Sequence, residues 1–142
     1  MKQDILFTAQ FNVYEVDLSD DGLGVIPCVI IQNNVGNKFS LTTIGAPLLD
    51  KKEAKGCLYY KMTLEHLGEK YACVSWSRQL SKARIVNKKP VDRIADEKTK
   101  EELLKFLYAV AGIKVDKING KKVISDLSKE ELELFYKKSE EC

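Results

Sequence analysis

The chain has little of the chemistry from which metal sites and disulfide scaffolds are built. It contains one histidine and four cysteines in 142 residues, and no two cysteines form a CxxC pair. A zinc site needs several such ligands at short spacings, so we expect no metal site, and no cofactor is indicated. Cys28 and Cys73 lie in apolar, strand-like runs and are expected to be small buried side chains. Disulfides stay open, but nothing indicates a secreted scaffold.

Long apolar runs are also missing. The first ten residues, MKQDILFTAQ, lack the hydrophobic segment of a signal peptide, and no stretch approaches the ~20 apolar residues that span a bilayer. We therefore expect a cytoplasmic protein with no membrane partner. The chain also lacks a large excess of charge of either sign. Its formal net charge is +2, so composition alone does not indicate a nucleic-acid binder.

Short strand-like segments dominate the first two thirds of the chain. The segment 13–18 alternates, with Tyr14, Val16 and Leu18 on one face, which predicts a half-buried strand. Residues 25–31 are apolar apart from Pro27, which favours a buried strand whose start is an edge or a bulge. Further strands are predicted at 41–49, 58–62, 71–76 and 84–86, with a loop at 32–38 and a loop or helical turn at 63–70.

One helix is predicted over residues 96–111. Asp96 can cap it and Gly112 can end it. Its apolar stripe consists of Leu103, Phe106, Leu107 and Val110.

A tail follows this helix. Asn119-Gly120 predicts a hairpin within 113–125, and the capping box at 128–131 predicts a short helix to about residue 138. Many short strands with a late helix favour the α+β class, mainly β, as a small, strongly bent sheet or partly open barrel. We expect residues 1–112 to form the barrel with its closing helix, and residues 113–142 to form an appendage of the same compact unit.

The run from Val25 to Leu49, VIPCVIIQNNVGNKFSLTTIGAPLL, carries a family resemblance. It is similar to the segment R-P-V-x-I-I-Q-N-D-x-G-N-x-x-S-P-T-x-I-V-A-x-I-T of the MazF/PemK (Kid) toxins. NVYEVDLS resembles the opening strand of that family, and WSRQLSKARI (76–85) resembles its later segment Q-I-R-T-I-S-K-x-R-L. The resemblance implies an SH3-like barrel and metal-independent RNA cleavage. It also implies a homodimer whose surface groove binds single-stranded RNA or an antitoxin peptide.

Two positions depart from this family at the residues that cut RNA. Alignment on Pro27 places Ile26 where the family has Arg, and alignment on Ala46 places Leu49 where it has Thr. In the family the Arg supplies charge and proton transfer and the Thr supplies a hydroxyl, which neither Ile nor Leu can do. Loss of one preorganised group commonly costs about 10²–10³ in rate. The loop 19–24, which covers the site in the family, is also short, so the pattern indicates a degenerate enzyme or one that has moved its chemistry.

Other residues are candidates for binding or for displaced chemistry. The resemblance places Lys38 on a groove loop, and it places a phosphate track in the basic segment, where an aromatic ring could stack on a base. The same residues are also consistent with a core tryptophan and solvated cations. Strand hydroxyls and a lone loop histidine, His66, are more often structural or incidental than catalytic. The RNA-binding candidates are Lys38, Trp76, Arg78, Lys82 and Arg84, and the displaced catalytic candidates are Arg78, Ser40 and Thr43.

Three functions are consistent with these residues. The first is a catalytically degenerate relative that binds single-stranded RNA or a protein partner through the toxin groove. The second is an active, metal-independent endoribonuclease toxin with a rearranged site, paired with an antitoxin. The third is a regulatory dimer that contacts proteins and not RNA.

Overall fold

The computed structural model describes residues 8–54 and 56–110, together with the backbone of 117–118 and 121–122. Within these ranges antiparallel strands are the main regular structure, and two α-helices are present. No described helix is long and apolar enough to cross a membrane. The elements are β1 (Asn12–Leu18), β2 (Gly24–Ile30), α1 (Asn34–Phe39), β3 (Thr42–Leu49), β4 (Tyr59–Leu64), β5 (Gly68–Cys73), β6 (Arg78–Ser81), β7 (Asp92–Arg93), α2 (Glu97–Val110), β8 (Lys117–Ile118) and β9 (Lys121–Lys122).

The sheet curls around β3, which pairs with three other strands. Its order is β4-β5-β3-β2-β1-β7, with β6 as an additional partner of β3. The start of β3 pairs with β6, its middle with β2 and its end with β5, all antiparallel. The result is a curled half-barrel sheet, which confirms the predicted mainly β, α+β class. The likeness to SH3 domains stays a prediction.

Strands β1 and β2 form as the sequence predicts. Tyr14, Val16 and Leu18 all lie in one buried cluster, whereas Asp17, between them, is exposed. Pro27 pairs opposite Glu15 of β1, and the pairing of β2 with β3 begins only at the next residue. The missing N–H of Pro27 therefore removes no bond to β3, and the predicted edge at the start of this strand is confirmed.

Helix α2 covers one face of the sheet through the predicted stripe. Asp96 caps it by accepting hydrogen bonds from the backbone N–H and the hydroxyl of Thr99, at 3.1 and 2.8 Å. Leu103 and Phe106 are buried against the sheet, and Phe106 is 0% exposed. Full burial of a side chain of this size contributes about 1.5–3 kcal/mol, so the helix is held mainly by packing.

Three local predictions are wrong. Residues 34–39 form helix α1 where a loop was expected, because the Asn33 side chain caps it by accepting from the Gly36 N–H. Residues 63–70 do not form a long loop, because β4 runs to Leu64 and β5 begins at Gly68, whose positive φ of 73° closes a tight hairpin. The expected strand at 84–86 is reduced to a single antiparallel bridge between Ile85 and Val16, because Arg84 ends a 3₁₀ turn (Lys82–Arg84); the strand β6 precedes that turn.

The cysteines follow the prediction only in part. Cys28 is a free buried thiol in β2, and burial raises its pKa to about 12 against the opposing charge of Arg78. Cys73 is buried as expected, but it forms a disulfide with Cys57, with the two Cα atoms 6.1 Å apart. This pairing joins the end of β5 to the loop before β4.

The tail is described only in its hairpin. Strands β8 and β9 pair antiparallel in a register that leaves residues 119–120 as the connection, as the Asn-Gly signal predicts. The connection itself and the predicted helix after residue 128 lie outside the described residues, and the division at residue 112 stays a prediction.

Candidate functional site

The two positions that align with the family's cutting residues come together in one apolar cluster. Leu49, at the end of β3, is 1% exposed. Leu49 packs in an apolar cluster. Ile26, in the first half of β2, is partly buried and packs against the same cluster. Neither side chain offers a charge or a hydrogen bond to a substrate. The other buried members of this cluster are Ala54, Cys57, Tyr59, Tyr71 and Cys73.

A pocket of about 250 Å³ shares no lining residue with this cluster but lies against a second apolar cluster, which Ile26 also contacts. The 3₁₀ turn after β5 (Val74–Trp76) places Trp76 at its wall with 39% of the side chain exposed, and β6 begins two residues later with Arg78. Leu23 belongs to the same packed group as Ile26, which connects the pocket to the apolar cluster. The lining residues are Leu18, Asp21, Leu23, Pro47, Trp76 and Arg78.

Two ion pairs close the surface above this pocket. Arg78 donates to the carboxylate of Asp21, and Arg84 donates to the carboxylate of Asp20. Both acids lie on the 3₁₀ turn (Ser19–Asp21) that connects β1 to β2. Two of the predicted RNA-binding cations are therefore already paired with carboxylates inside this chain.

The remaining acid of this connection has a different role. Asp17 accepts hydrogen bonds from the hydroxyl and the backbone N–H of Ser19, at 2.5 and 3.0 Å. These two bonds, in that order, together with the nearby charge of Arg84, hold the pKa of Asp17 below its usual value. Asp17 is therefore ionised at neutral pH and shapes the turn that presents the next two acids.

Lys82 belongs to a buried polar network and not to the exposed surface. It is 6% exposed, burial lowers its pKa, and its ammonium donates to the backbone carbonyl of Asn37 in α1. Asn37 is itself fully buried, and its side chain bonds both Gln32 and the hydroxyl of Thr43, the latter at 2.7 Å. The network fixes α1 against the sheet, which accounts for a helix in a segment rich in Asn and Gly.

The other sequence candidates lie apart from the pocket lining. Lys38 is exposed on α1, with its ammonium 5.4 Å from the centre of the Phe39 ring. Ser40 shares a 2.9 Å hydrogen bond with the hydroxyl of Thr42. The hydroxyl of Thr42 is neither a general base nor a general acid, so this contact does not activate the Ser40 hydroxyl.

His66 lies on the β4–β5 turn, beside a second pocket that shares no lining residue with the first. The turn is held by Asp92, a 4% exposed carboxylate that accepts from the backbone N–H groups of His66 and Leu67, both at 2.8 Å. No pattern in the sequence indicated that this acid would be buried. The imidazole of His66 is exposed, and the contacts of this turn are structural.

The structure thus sorts the sequence candidates into separate groups. Trp76, Arg78 and Arg84 share one surface, Thr43 and Lys82 share the buried network, and Ile26 and Leu49 share the apolar cluster. Sequence reasoning missed Asp20 and Asp21, although two consecutive acids in the short loop 19–24 were a readable signal. Among the described residues, no three His, Cys, Asp or Glu side chains lie where they could together hold a metal ion.

Comparison with known proteins identifies the family. Solved structures that share the fold include two mycobacterial endoribonucleases. One is an endoribonuclease in complex with its cognate antitoxin from a mycobacterial species, with a TM-score of 0.56 and 17% identity over 77% of this chain and 97% of that one. The other is a mycobacterial endoribonuclease, with a TM-score of 0.62 and 15% identity over 78% and 97%. No curated protein shows significant sequence similarity. The model of the PemK-like, MazF-like toxins of type II toxin–antitoxin systems matches residues 9–110, and the chain therefore belongs to that family.

Proposed function

We propose that this protein is a catalytically degenerate member of the toxin family that binds single-stranded RNA and cleaves it weakly or not at all. The observation that carries the proposal is the joint packing of Ile26 and Leu49 in one apolar cluster. Two positions chosen by alignment from different strands contribute to the same apolar cluster, which supports the alignment. Both positions contribute to packing in this chain, and neither carries a group that could act on RNA.

The chemistry of metal-free RNA cleavage explains why this packing matters. The ribose 2′-OH attacks the adjacent phosphate, so the site must accept a proton, return one to the leaving oxygen and stabilise added negative charge. An Ile and a Leu supply none of these functions. Each missing group commonly costs about 10²–10³ in rate, so the loss of two leaves little catalysis at this position.

The neighbouring surface retains the features of a single-strand binder. Trp76 has an exposed ring edge or face on which a base can stack, and base–aromatic stacking contributes about 1–3 kcal/mol per base. Arg78 and Arg84 lie on the following segment, and guanidinium groups bind phosphates in a bidentate manner. We exclude Lys82 from these contacts, because its ammonium is buried and bonded inside the fold.

RNA affinity should therefore depend steeply on salt, and Arg84→Ala should reduce that dependence. Each phosphate contact to a single strand contributes about 0.7 to the slope of log affinity against log salt, so we expect a decrease of about 0.7. Lys70→Ala is the matched control, since Lys70 pairs with Asp50 away from the pocket lining and its loss should leave the slope unchanged. Fluorescence anisotropy with a mixed-sequence RNA over a salt series measures both slopes. Equal slopes for the two variants would contradict the proposed surface.

A second candidate function is an active endoribonuclease with a rearranged site. It is favoured by one observation: Arg78 and Asp21 line the same pocket and together offer a cation and a proton acceptor. The other displaced candidates are less suited to this chemistry, because the Thr43 hydroxyl is fully buried and donates to Asn37. Cleavage that depends on Arg78 would establish this function in place of RNA binding alone.

We also propose that the protein forms a homodimer and that an antitoxin peptide competes for its groove. The dimer proposal rests on exposed apolar side chains around α1, where Val35 and Phe39 lie one turn apart and are 71% and 72% exposed. Leu41 and Ile44 follow α1 in the chain and are 52% and 36% exposed, and we infer that the four side chains form one patch. A contiguous apolar patch on a soluble domain commonly marks a protein interface.

Phe39→Asp should therefore convert a dimer into a monomer, because the substitution places a charge at the centre of the contact. Light scattering coupled to size exclusion gives the mass of each form. Val86→Asp is the control, since Val86 is 58% exposed outside this patch and its substitution should leave the dimer intact. A wild-type protein that is already monomeric would contradict the dimer.

A test with RNA distinguishes the remaining alternative. If RNA neither binds the protein nor alters its melting temperature, a protein-binding role is favoured instead of RNA binding.

A further inference from the structure

We propose that Asp20 and Asp21 form an intramolecular latch that occupies Arg78 and Arg84 in place of RNA phosphates, so that RNA must displace the loop to bind. This inference rests on the proposed RNA-binding function and adds a mode of regulation to the same surface. It concerns the 3₁₀ turn between β1 and β2, which we call the acidic turn (Ser19–Asp21).

The two ion pairs span the fold and are not local turn contacts. The paired residues are 57 positions apart for Asp21 with Arg78, and 64 positions apart for Asp20 with Arg84. Two consecutive carboxylates thus reach two guanidinium groups, one at the start of β6 and one at the end of the 3₁₀ turn that follows it. One such ion pair alone would be weak evidence. Two neighbouring acids that each pair with a different arginine indicate a specific closed position of the acidic turn.

The acidic turn is built as a small unit between fixed ends. Leu18 before it is 1% exposed, and the N–H of Leu23 after it donates to the Leu18 carbonyl at 3.2 Å. Gly22 ends the turn with a φ of 77°, a conformation that residues with a side chain rarely adopt. The anchored ends let the tip that carries both acids move without unfolding β1 or β2.

The closed position competes with RNA for the same donors. Carboxylate and phosphate bind guanidinium through the same pairs of N–H groups, so one arginine cannot fully satisfy both. Asp21 also lines the pocket with Trp76, so a base that stacks there meets a carboxylate. The side chains in the two pairs are 31–70% exposed, which leaves them open to exchange with an incoming phosphate.

The expected size of this effect is moderate. An exposed ion pair commonly biases an equilibrium by a factor of about 1.5 to 5, so two pairs released together should change RNA affinity by about 2- to 30-fold. Removing both carboxylates should therefore strengthen RNA binding by a factor in this range. A gain of this kind is not expected if the two acids only stabilise the fold.

The experiment compares the double variant Asp20→Asn, Asp21→Asn with wild-type protein. Its control is Asp50→Asn with Glu97→Gln, which removes the same two charges from ion pairs with Lys70 and Lys100. RNA affinity is measured by anisotropy with a mixed-sequence single strand at fixed salt. Separately and without RNA, acrylamide quenching of the chain's single tryptophan reports whether the pocket wall opens.

The latch predicts tighter RNA binding and stronger quenching for the acidic-turn variant than for the control. Equal RNA affinity of the two variants would overturn the latch and leave RNA binding in place, because net charge alone would then explain any gain. Unchanged quenching in the acidic-turn variant would also overturn it. Stronger quenching with no RNA binding by wild type or either variant would instead overturn the proposed RNA function.

Discussion

Ile26→Arg combined with Leu49→Thr is expected to raise metal-independent RNA cleavage by about 10²-fold or more over wild type. Each restored group returns a function that the transition state requires, and one such group is commonly worth about 10²–10³ in rate. The partly buried position of Ile26 allows an arginine to pack its carbon chain on the cluster and extend its charged end outward. Gel analysis of a long RNA incubated in chelator measures the gain.

The matched control for this variant is Ile26→Lys with Leu49→Val. Lysine keeps the positive charge without the planar donor set of arginine, and valine keeps the shape of threonine without its hydroxyl. Because Leu49 is almost fully buried, both double variants should lose stability, the Arg/Thr variant more because it also buries a hydroxyl, and a melting curve shows that each is folded. A folded Arg/Thr variant that cleaves no faster than the Lys/Val control would contradict the assignment of these two positions.

Asp92→Ala is expected to reduce the free energy of unfolding by about 3 kcal/mol at pH 7. The carboxylate accepts the backbone N–H groups of His66 and Leu67, and hydrogen bonds to a charged group contribute about 1.5–3 kcal/mol each. The substitution leaves both turn amides without their acceptor and loosens the β4–β5 hairpin. Urea denaturation of the variant and the wild type gives the difference.

The difference in unfolding free energy between wild type and Asp92→Ala should depend on pH if the ionised carboxylate of Asp92 is its cause. Burial acts to raise the pKa of Asp92, but hydrogen bonds from the backbone of Leu67, Arg93 and His66 outweigh it, and the net pKa is lowered. A carboxyl with a lowered folded pKa contributes its stability above its unfolded value of about 3.9 and loses it as pH falls through the folded pKa. The difference between wild type and Asp92→Ala should therefore be constant from pH 7 to about 5 and shrink below about 4.

Asp50→Asn provides the comparison for this stability test. The Asp50 side chain is 68% exposed and forms one surface ion pair with Lys70, which commonly contributes at most about 1 kcal/mol. A loss for Asp92→Ala no larger than that of Asp50→Asn would show that the buried carboxylate does not hold the hairpin.

The parts of the fold that the sequence predicted are those set by local periodicity. The apolar spacing of α2 and the alternation of β1 are readable, because each residue's burial follows from its position in a repeating pattern. Helix α1 was missed for the opposite reason. Its Asn and Gly residues favour a loop locally, but buried Asn37 bonds Gln32, Thr43 and Lys82, which come from three other places in the chain.

The candidate site divides in the same way. Alignment pointed to Ile26 and Leu49, and their apolar side chains are the basis on which the sequence predicts a degenerate site. Sequence could not show that Asp20 and Asp21 meet Arg84 and Arg78, because these contacts join residues about sixty positions apart and depend on the curl of the sheet. It also could not distinguish the partly exposed Arg84 from Lys82, two residues earlier, which is buried.

The most direct test of RNA binding without efficient cleavage is one assay on the wild-type protein. The protein is incubated in chelator with a long mixed-sequence RNA beside its Arg78→Ala variant, and each sample is divided between a native and a denaturing gel. We predict RNA that stays intact on the denaturing gel and shows a salt-sensitive mobility shift on the native gel, weakened in the variant. Discrete fragments that disappear with Arg78→Ala would contradict this account and show that the chemistry has moved into the pocket.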